Sequence, residues 1–414
     1  MANARGRLMI EGAAATALAR RFGTPLYVYS QAALRGRWEA LRQAFQAPGF
    51  LLCYAIKANS NPAICRLLAR WGTGAEVVSG GELSLALHSG FKPSQIVFSG
   101  VGKTREEMRA GLRAGILTFN VESEEELALL SRTAKALGRR APVSIRVNPA
   151  IAVASHPHIA TARAGSKFGV SPREALRLAL KAAKSPGLRF LGLHGHLGSQ
   201  IFAAAPYERE SRLLISLSRE LKARGVAITI ADFGGGFGAE EPGRREFPLD
   251  RVSSVLRRAA RAFPGLTTII EPGRYLTAEA GTLLTTLLYR KTVLGRRLLI
   301  VDAGMNDFLR PALYGARHEI VPANPRPGPR TPADVAGPVC ESTDILGRGR
   351  RLPPVKPGDV LAVLNAGAYG FSMGSNYNSR PRPAEVLVDG RDIRLIRPRE
   401  ALSELLDWRR CKSP

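Results

Sequence analysis

The chain has 414 residues, with 60 lysines and arginines against 34 aspartates and glutamates, for a net charge of +26. That length suggests two or three domains rather than one small one, and an apolar content of 45% with 28 prolines fits a globular protein rich in loops. The charge could serve a nucleic acid or an acidic membrane. The basic residues, however, are scattered along predicted helices and form no long run or nucleic-acid motif, which leaves a solvated basic surface able to attract an anionic substrate. Cys53, Cys65, Cys340 and Cys411 show no paired spacing. This argues against a disulfide framework or a zinc ribbon and fits a reducing compartment. Residues 1–12 contain arginines but no apolar core of signal-peptide length. No apolar run reaches the ~20 residues of a membrane span, so the expectation is a cytoplasmic protein.

Residues 1–30 hold a short helical stretch and then Pro25-Leu26-Tyr27-Val28-Tyr29, which reads as a strand. An alternation follows that repeats eight times. Its strand candidates are 51–57, 74–79, 96–100, 117–121, 143–148, 190–197, 228–234 and 267–273. Amphipathic stretches lie between them, at 61–71, 104–114, 123–137, 172–184, 207–224 and 250–263. Asn61-Pro62 and Ser171-Pro172 are helix starts, a cap residue followed by proline at the first helical position. Eight such units over about 250 residues predict a (β/α)8 barrel of the TIM type. Beyond residue 276 helical periodicity fades. Short β-rich runs take over at 298–302, 317–321, 335–340, 359–364 and 384–396, interrupted by a proline-rich loop at 322–332. The predicted organisation is an α/β barrel over 31–276 and a mostly β domain from 277–414 completed by 1–30.

In such a barrel the chemistry sits at the carboxyl ends of the strands. The first strand ends in Tyr54-Ala55-Ile56-Lys57-Ala58-Asn59. A lysine held there among apolar neighbours loses its proton readily and becomes a nucleophile, as a Schiff base to an aldehyde cofactor requires; the plain alternative is a strand-end lysine that snorkels to solvent. The second strand ends in Ser79-Gly80-Gly81-Glu82, the sixth in His194-Gly195-His196-Leu197-Gly198-Ser199-Gln200, the seventh in Asp232-Phe233-Gly234-Gly235-Gly236-Phe237-Gly238 and the eighth in Glu271-Pro272-Gly273-Arg274. The glycine run lets backbone amides approach an anion, and barrels commonly bind phosphate after the seventh and eighth strands.

His194 and His196 alternate on one strand and so face the same way. A metal pair is one reading. The other histidines, His88, His156, His158 and His318, lie at no strand end with a carboxylate in an obvious ligand set. His194 is therefore read as a core histidine, His196 as a flat lid over a ring, and no metal is expected. Glu271 in a barrel mouth can hold a pyridine nitrogen protonated, which makes the ring an electron sink. Lys57, His196, the glycine loop and Glu271 together describe a site for pyridoxal 5'-phosphate.

With these residues in view the chain resembles diaminopimelate decarboxylases, in the alanine-racemase-like class of pyridoxal-phosphate enzymes. The resemblance runs from about Phe22 to about Leu405 through YAIKAN, EVVSGGEL, SGVGKT, RVNP, KFG, HGHLGSQ, DFGGGFG, EPGRYL, DAGMNDFLRPALYG, GPVCESTD and GAYGFSMGSNYNSRPRP. It implies that Lys57 carries the cofactor, His196 stacks on its ring and Glu271 contacts its nitrogen. It implies Ser199, Gly236, Gly273, Arg274 and Tyr369 around the phosphate. Arg274, Arg310 and Tyr314 would take the carboxylate at the unreactive end of the substrate. Cys340 would return a proton, and Glu341 would take the distal ammonium. It further implies a homodimer in which Cys340 and Glu341 come from the second subunit.

Two features depart from the family's usual pattern. Glu76 stands where an aspartate is common, and residues 156–163 lack the usual histidine-proline-tyrosine form. The implied reaction turns meso-2,6-diaminopimelate into L-lysine and carbon dioxide. A relative acting on ornithine, arginine or a carboxylated polyamine is the nearest alternative, but those substrates lack a distal head carrying both charges. A racemase would need a second acid-base residue, commonly a tyrosine, opposite the lysine. A non-catalytic cofactor-binding protein would normally be the barrel alone.

Overall fold

The computed structural model describes residues 6–153, 161–162, 165–240, 246–262 and 265–406. The chain divides into two compact units. One comprises residues 38–239 and 246–275, the other residues 1–37, 240–245 and 276–414.

The first unit is a closed barrel of eight parallel strands. In order these are Phe50–Ala55, Gly74–Val77, Ile96–Phe98, Thr118–Val121, Ala141–Val147, Leu188–Gly195, Ile230–Asp232 and Thr267–Ile270. The last closes on the first, Thr268 pairing with Phe50 and Ile270 with Leu52. The predicted strands are all present, most of them shorter at the carboxyl end. That shortening matters, because the residues released from pairing form the loops of the site.

The helices between strands begin where side chains can satisfy the first free amides. Asn61 accepts from Ala63 N ahead of Pro62, and Ser171 accepts from Glu174 N ahead of Pro172. Thr104 and Glu107 form a reciprocal capping box. Two of the longer helices had no prediction, Gln31–Ala44 and Gly80–His88, the latter capped by Ser79 and opened by two glycines that mask its periodicity.

Inside the barrel the pleat sorts side chains by layer. Cys53, Val97, Leu191, Ile230 and Ile269 form an apolar cluster. Nearer the carboxyl ends the interior turns polar: Thr118 and Ser144 hydroxyls meet at 3.1 Å, and Asn120 donates to Ser99 at 3.0 Å. Lys103, from the SGVGKT run, is buried with all three ammonium hydrogens used, on Gly100 O, Asn120 O and Glu126. Breaking such a buried pair costs ~3–5 kcal/mol, so Lys103 holds the ends of the third and fourth strands in place.

The second unit centres on a nine-stranded sheet. Its long strand, Gly281–Val293, pairs antiparallel with Leu26–Ser30 and Val360–Val363 along its first half and with Arg296–Val301 along its second. Leu26–Ser30 also pairs in parallel with Ala384–Asp389, so the N-terminal segment is an interior strand of this sheet, as predicted. Two strands were not anticipated. Gly281–Val293 joins two differently paired halves, and Ile345–Leu352 carries several arginines on the sheet edge. Among the described residues no helix is long and apolar enough to cross a membrane.

Candidate active site

A cavity of about 360 Å³ opens at the carboxyl ends of the barrel strands, lined among others by Lys57, Glu76, Arg146, His194, His196 and Glu271. The first strand stops at Ala55, and Lys57 lies in the short 3-10 turn Ile56–Ala58 that follows. Its amine donates to both oxygens of Glu76, at 2.8 and 2.7 Å. The neighbouring strand supplies that carboxylate, with Ala55 and Glu76 in register. Here the structure corrects the sequence reading: Lys57 is held by an ion pair and not by apolar neighbours alone. Burial pushes Glu76 up to about 7, against the pull of Lys57.

Glu271 leaves the eighth strand buried at 3% exposure. Its Oε2 lies 3.5 Å from His194 Nε2, while its Oε1 has no hydrogen-bond partner among the described residues. Burial alone would raise its pKa, but His194 and Lys57 pull it below the usual carboxylate range. Asp232, beneath it on the seventh strand, goes the other way, raised by burial and by the charge of Glu271. The two buried carboxyls are thus pushed in opposite directions. Donor atoms of His194, Asp232 and Glu271 lie within 4.8 Å of one another, close enough to ligate a cation. They come from three strands, which is why no spacing in the sequence suggested the set.

His194 is buried, with its ring near-parallel to that of His196 at 6.5 Å. His196 Nδ1 accepts from Gly235 N at 3.1 Å. Burial, with Arg146 and Lys57 close by, lowers His196 well below the ordinary histidine range, so the ring is neutral. Gly195, between the two histidines, leaves room for the buried Glu210 carboxyl, which a Cβ there would meet at 2.6 Å.

The loops after the sixth, seventh and eighth strands converge. Gly236 has φ +86°, and a Cβ on it would lie 2.6 Å from Gly198 O; only glycine fits. Ile201 N donates to Gly236 O at 3.0 Å. Arg274 donates twice to Ser199 Oγ, at 3.1 and 2.9 Å. A Cβ on Gly273 would lie 3.0 Å from the Cβ atoms of Ala55 and Ala58, on either side of Lys57. Of the predicted site residues, the barrel thus brings together Lys57, His196, Ser199, Gly236, Glu271, Gly273 and Arg274.

The other predicted residues belong to the β-rich unit. Arg310 is buried at the start of the short helix Arg310–Tyr314, and Tyr314 is half-buried at its end. Tyr369 is half-buried with a left-handed φ of 53°, uncommon for an aromatic residue. Cys340 and Glu341 are exposed in the bend after the strand Thr331–Ala336. Cys340 N donates to Asn378 Oδ1 at 2.8 Å, and Tyr377 donates its hydroxyl to Glu341 at 2.7 Å.

Residues 31–278 match the family described as pyridoxal-dependent decarboxylase, pyridoxal binding domain. The diaminopimelate decarboxylase of Aquifex aeolicus is 44% identical over 395 residues, covering 95% of this chain and 94% of that protein. That of Vibrio cholerae is 44% identical over 404 residues, covering 97% and 96%. The structure of diaminopimelate decarboxylase from Helicobacter pylori complexed with L-lysine matches with a TM-score of 0.91 at 42% identity, covering 95% of this chain and 98% of that one. The chain belongs to the diaminopimelate decarboxylase family of pyridoxal-dependent decarboxylases.

The residues present fit the cofactor this family uses. A buried carboxylate oxygen without a donor calls for an explanation, and Glu271 Oε1 offers one acceptor for a pyridinium N–H in the cavity that holds the Lys57 amine. A second hollow of about 320 Å³, among Trp38, Phe45, Trp71 and Gln95, is lined by no ionisable group but Arg42 and offers no such chemistry.

For this decarboxylase family member the sequence reading missed Arg146 and Glu122. Arg146 donates to Glu122 at 2.9 Å and lies over the Phe168 ring. RVNP carried the signal, because Arg146 interrupts the apolar alternation Val143, Ile145, Val147 from the opposite face. The divergent loop at 156–163 lies outside the described residues except for Thr161 and Ala162, and Cys411 lies outside them too.

Proposed function

We propose that this chain is a diaminopimelate decarboxylase, which removes carbon dioxide from meso-2,6-diaminopimelate and leaves L-lysine. The observation that carries the reading is the Lys57 amine and the Glu271 carboxylate, whose Oε1 has no donor among the described residues, in one barrel cavity of a member of this family. Bound pyridoxal phosphate supplies the electron sink for the pair left behind by the departing carboxylate.

The protein's own residues do the rest. Lys57 holds the cofactor through its amine, oriented by Glu76. Glu271 accepts the ring N–H and keeps that nitrogen protonated. His196, neutral and flat, covers the ring. Ser199, Gly236, Gly273, Arg274 and Tyr369 serve the phosphate. Arg274, Arg310, Tyr314 and Tyr369 serve the substrate, with Arg310 taking the carboxylate of the distal head in a fork that lysine could not reproduce. Glu341 takes the distal ammonium, and Cys340 returns a proton to the carbon that lost the carboxylate.

Cys340 and Glu341 are exposed in the single chain. This suits residues that act in a second copy's site, so the working unit in this reading is a homodimer. In this reading the enzyme works in the cytoplasm, which the lack of any paired spacing among the cysteines supports. A need for both charges at the far end separates diaminopimelate from ornithine or arginine. The deciding experiment mixes the cofactor-loaded protein with each of the three substrates. Carbon dioxide and lysine from diaminopimelate, at a kcat/KM well above the other two, is the expected outcome. A preference for ornithine or arginine would refute the substrate assignment.

A further inference from the structure

We propose that His318 is a positioning residue for substrate recognition, a neutral strut that sets the Arg310 guanidinium and ties it to the segment carrying Tyr369. The proposal rests on the reading of Arg310 as the carboxylate-binding arginine.

The short helix Arg310–Tyr314 ends at Gly315 in the left-handed conformation. The chain then turns back and places His318 beside the first residue of that helix. Both side chains are buried, Arg310 at 5% and His318 at 4% exposure. Arg310 Nη1 lies 2.9 Å from His318 Nε2, and His318 Nδ1 lies 3.0 Å from Leu364 O. A guanidinium can only donate and a carbonyl can only accept. The two contacts together therefore select one state of the ring: Nε2 bears the lone pair, Nδ1 bears the hydrogen, and the imidazole is uncharged. A protonated ring would have no acceptor to offer Arg310.

The frame around the ring is stiff. Phe308 meets it edge-on at 4.6 Å between centroids, with the planes at 77°. Leu364 N donates to Glu319 O at 2.9 Å, which extends the pairing of Ile320 with Val363 by one step. Leu364 leads directly into residues 365–369. That segment is pinned by Ala366 N to Gly281 O at 2.8 Å and Gly367 N to Ala278 O at 3.0 Å, and it ends at Tyr369. One imidazole thus connects the guanidinium to a backbone segment that the sheet already holds rigid. A long arginine side chain otherwise loses considerable rotamer freedom on binding, and an acceptor fixed on Nη1 removes part of that loss beforehand.

The test separates the two ring nitrogens. An asparagine amide mimics Nδ1 and offers Arg310 nothing, whereas a glutamine carbonyl reaches the Nε2 position. L-Lysine carries the carboxylate that Arg310 reads, and cadaverine is the same molecule without it. Calorimetric dissociation constants for both probes are measured on the full-length, cofactor-loaded protein as wild type, Arg310→Ala, His318→Asn and His318→Gln. Arg310→Ala and His318→Asn are each expected to weaken lysine by about tenfold or more, with cadaverine unchanged; His318→Gln stays within about threefold of wild type. If Arg310→Ala weakens lysine but His318→Asn does not, or if His318→Gln is as weak as His318→Asn, the strut is refuted while Arg310 keeps its role. If Arg310→Ala binds lysine normally, the reading of Arg310 fails first and the strut with it. Should His318→Asn not fold, His318→Gln decides alone, and a tenfold loss of lysine affinity overturns the proposal.

Discussion

In the barrel unit ionisable side chains near the strand ends sit in partnered sets, all buried but the half-buried Lys57: Lys57 with Glu76, Lys103 with Glu126, Arg146 with Glu122, and Glu271 beside His194. In the β-rich unit Arg310 is buried against a neutral histidine, and Cys340 and Glu341 stand exposed on a bend. The difference follows from architecture. A closed barrel turns alternate residues of eight strands toward one axis, so polar groups at the strand ends meet each other whether or not they are near in sequence. A sheet with loops has no common axis, and its functional groups sit on connections whose burial must come from elsewhere. In the proposed reading the barrel's groups hold the cofactor, and the exposed groups of the β-rich unit act in a second copy's site.

The sharpest way to break this comparison is to separate the two contributions. Lys57→Ala and Cys340→Ala are each expected to lower turnover by ~10³-fold or more. Mixed under conditions of subunit exchange, the two inactive proteins are expected to recover a measurable fraction of activity, because a hybrid dimer has one site with both residues intact. Absence of recovery, with exchange demonstrated, would mean that each chain completes its own site.

A smaller effect tests the charge arrangement of the barrel. Glu271→Gln keeps the shape and loses the negative charge. Cofactor binding is expected to persist, with kcat lower by ~10²–10³-fold. Near-normal turnover would show that the ring nitrogen needs no anion here.

The smallest expected effect is on stability and concerns a buried acid in the β-rich unit with no ion pair among the described residues. Burial pushes Asp307 up to about 7 from 3.8, with the amide of Gly304 and the charge of Arg380 acting against it. Between those values the folded state binds more protons than the unfolded one, so stability falls as pH rises through that window and is level beyond it. Asp307→Asn mimics the protonated form. It is expected to melt with wild type below about pH 4 and a few degrees above it at pH 8. A melting difference independent of pH would show that Asp307 is charged throughout.

Much of this was legible in the chain. Eight alternations, the caps at Asn61 and Ser171, and the glycines at 234–236 are local signals, because a helix start or a left-handed turn is dictated by residues within four or five positions. Lys57 and Glu271 were readable for the same reason, each lying one or two residues beyond a strand. The strand Gly281–Val293 was not, since its two halves serve different pairings and carry no single alternation. Nor could periodicity show which groups meet. Glu76 reaches Lys57 because Ala55 and Glu76 share a register between adjacent strands. Asp232 lies under Glu271 because the seventh and eighth strands run side by side, and His318 returns to Arg310 across a helix end. Sequence alone determined that the eight strands exist, where each ends to within about three residues, and what stands there. Register and barrel closure decided which of those side chains face one another, because pairing between strands depends on distances through space that no local pattern encodes.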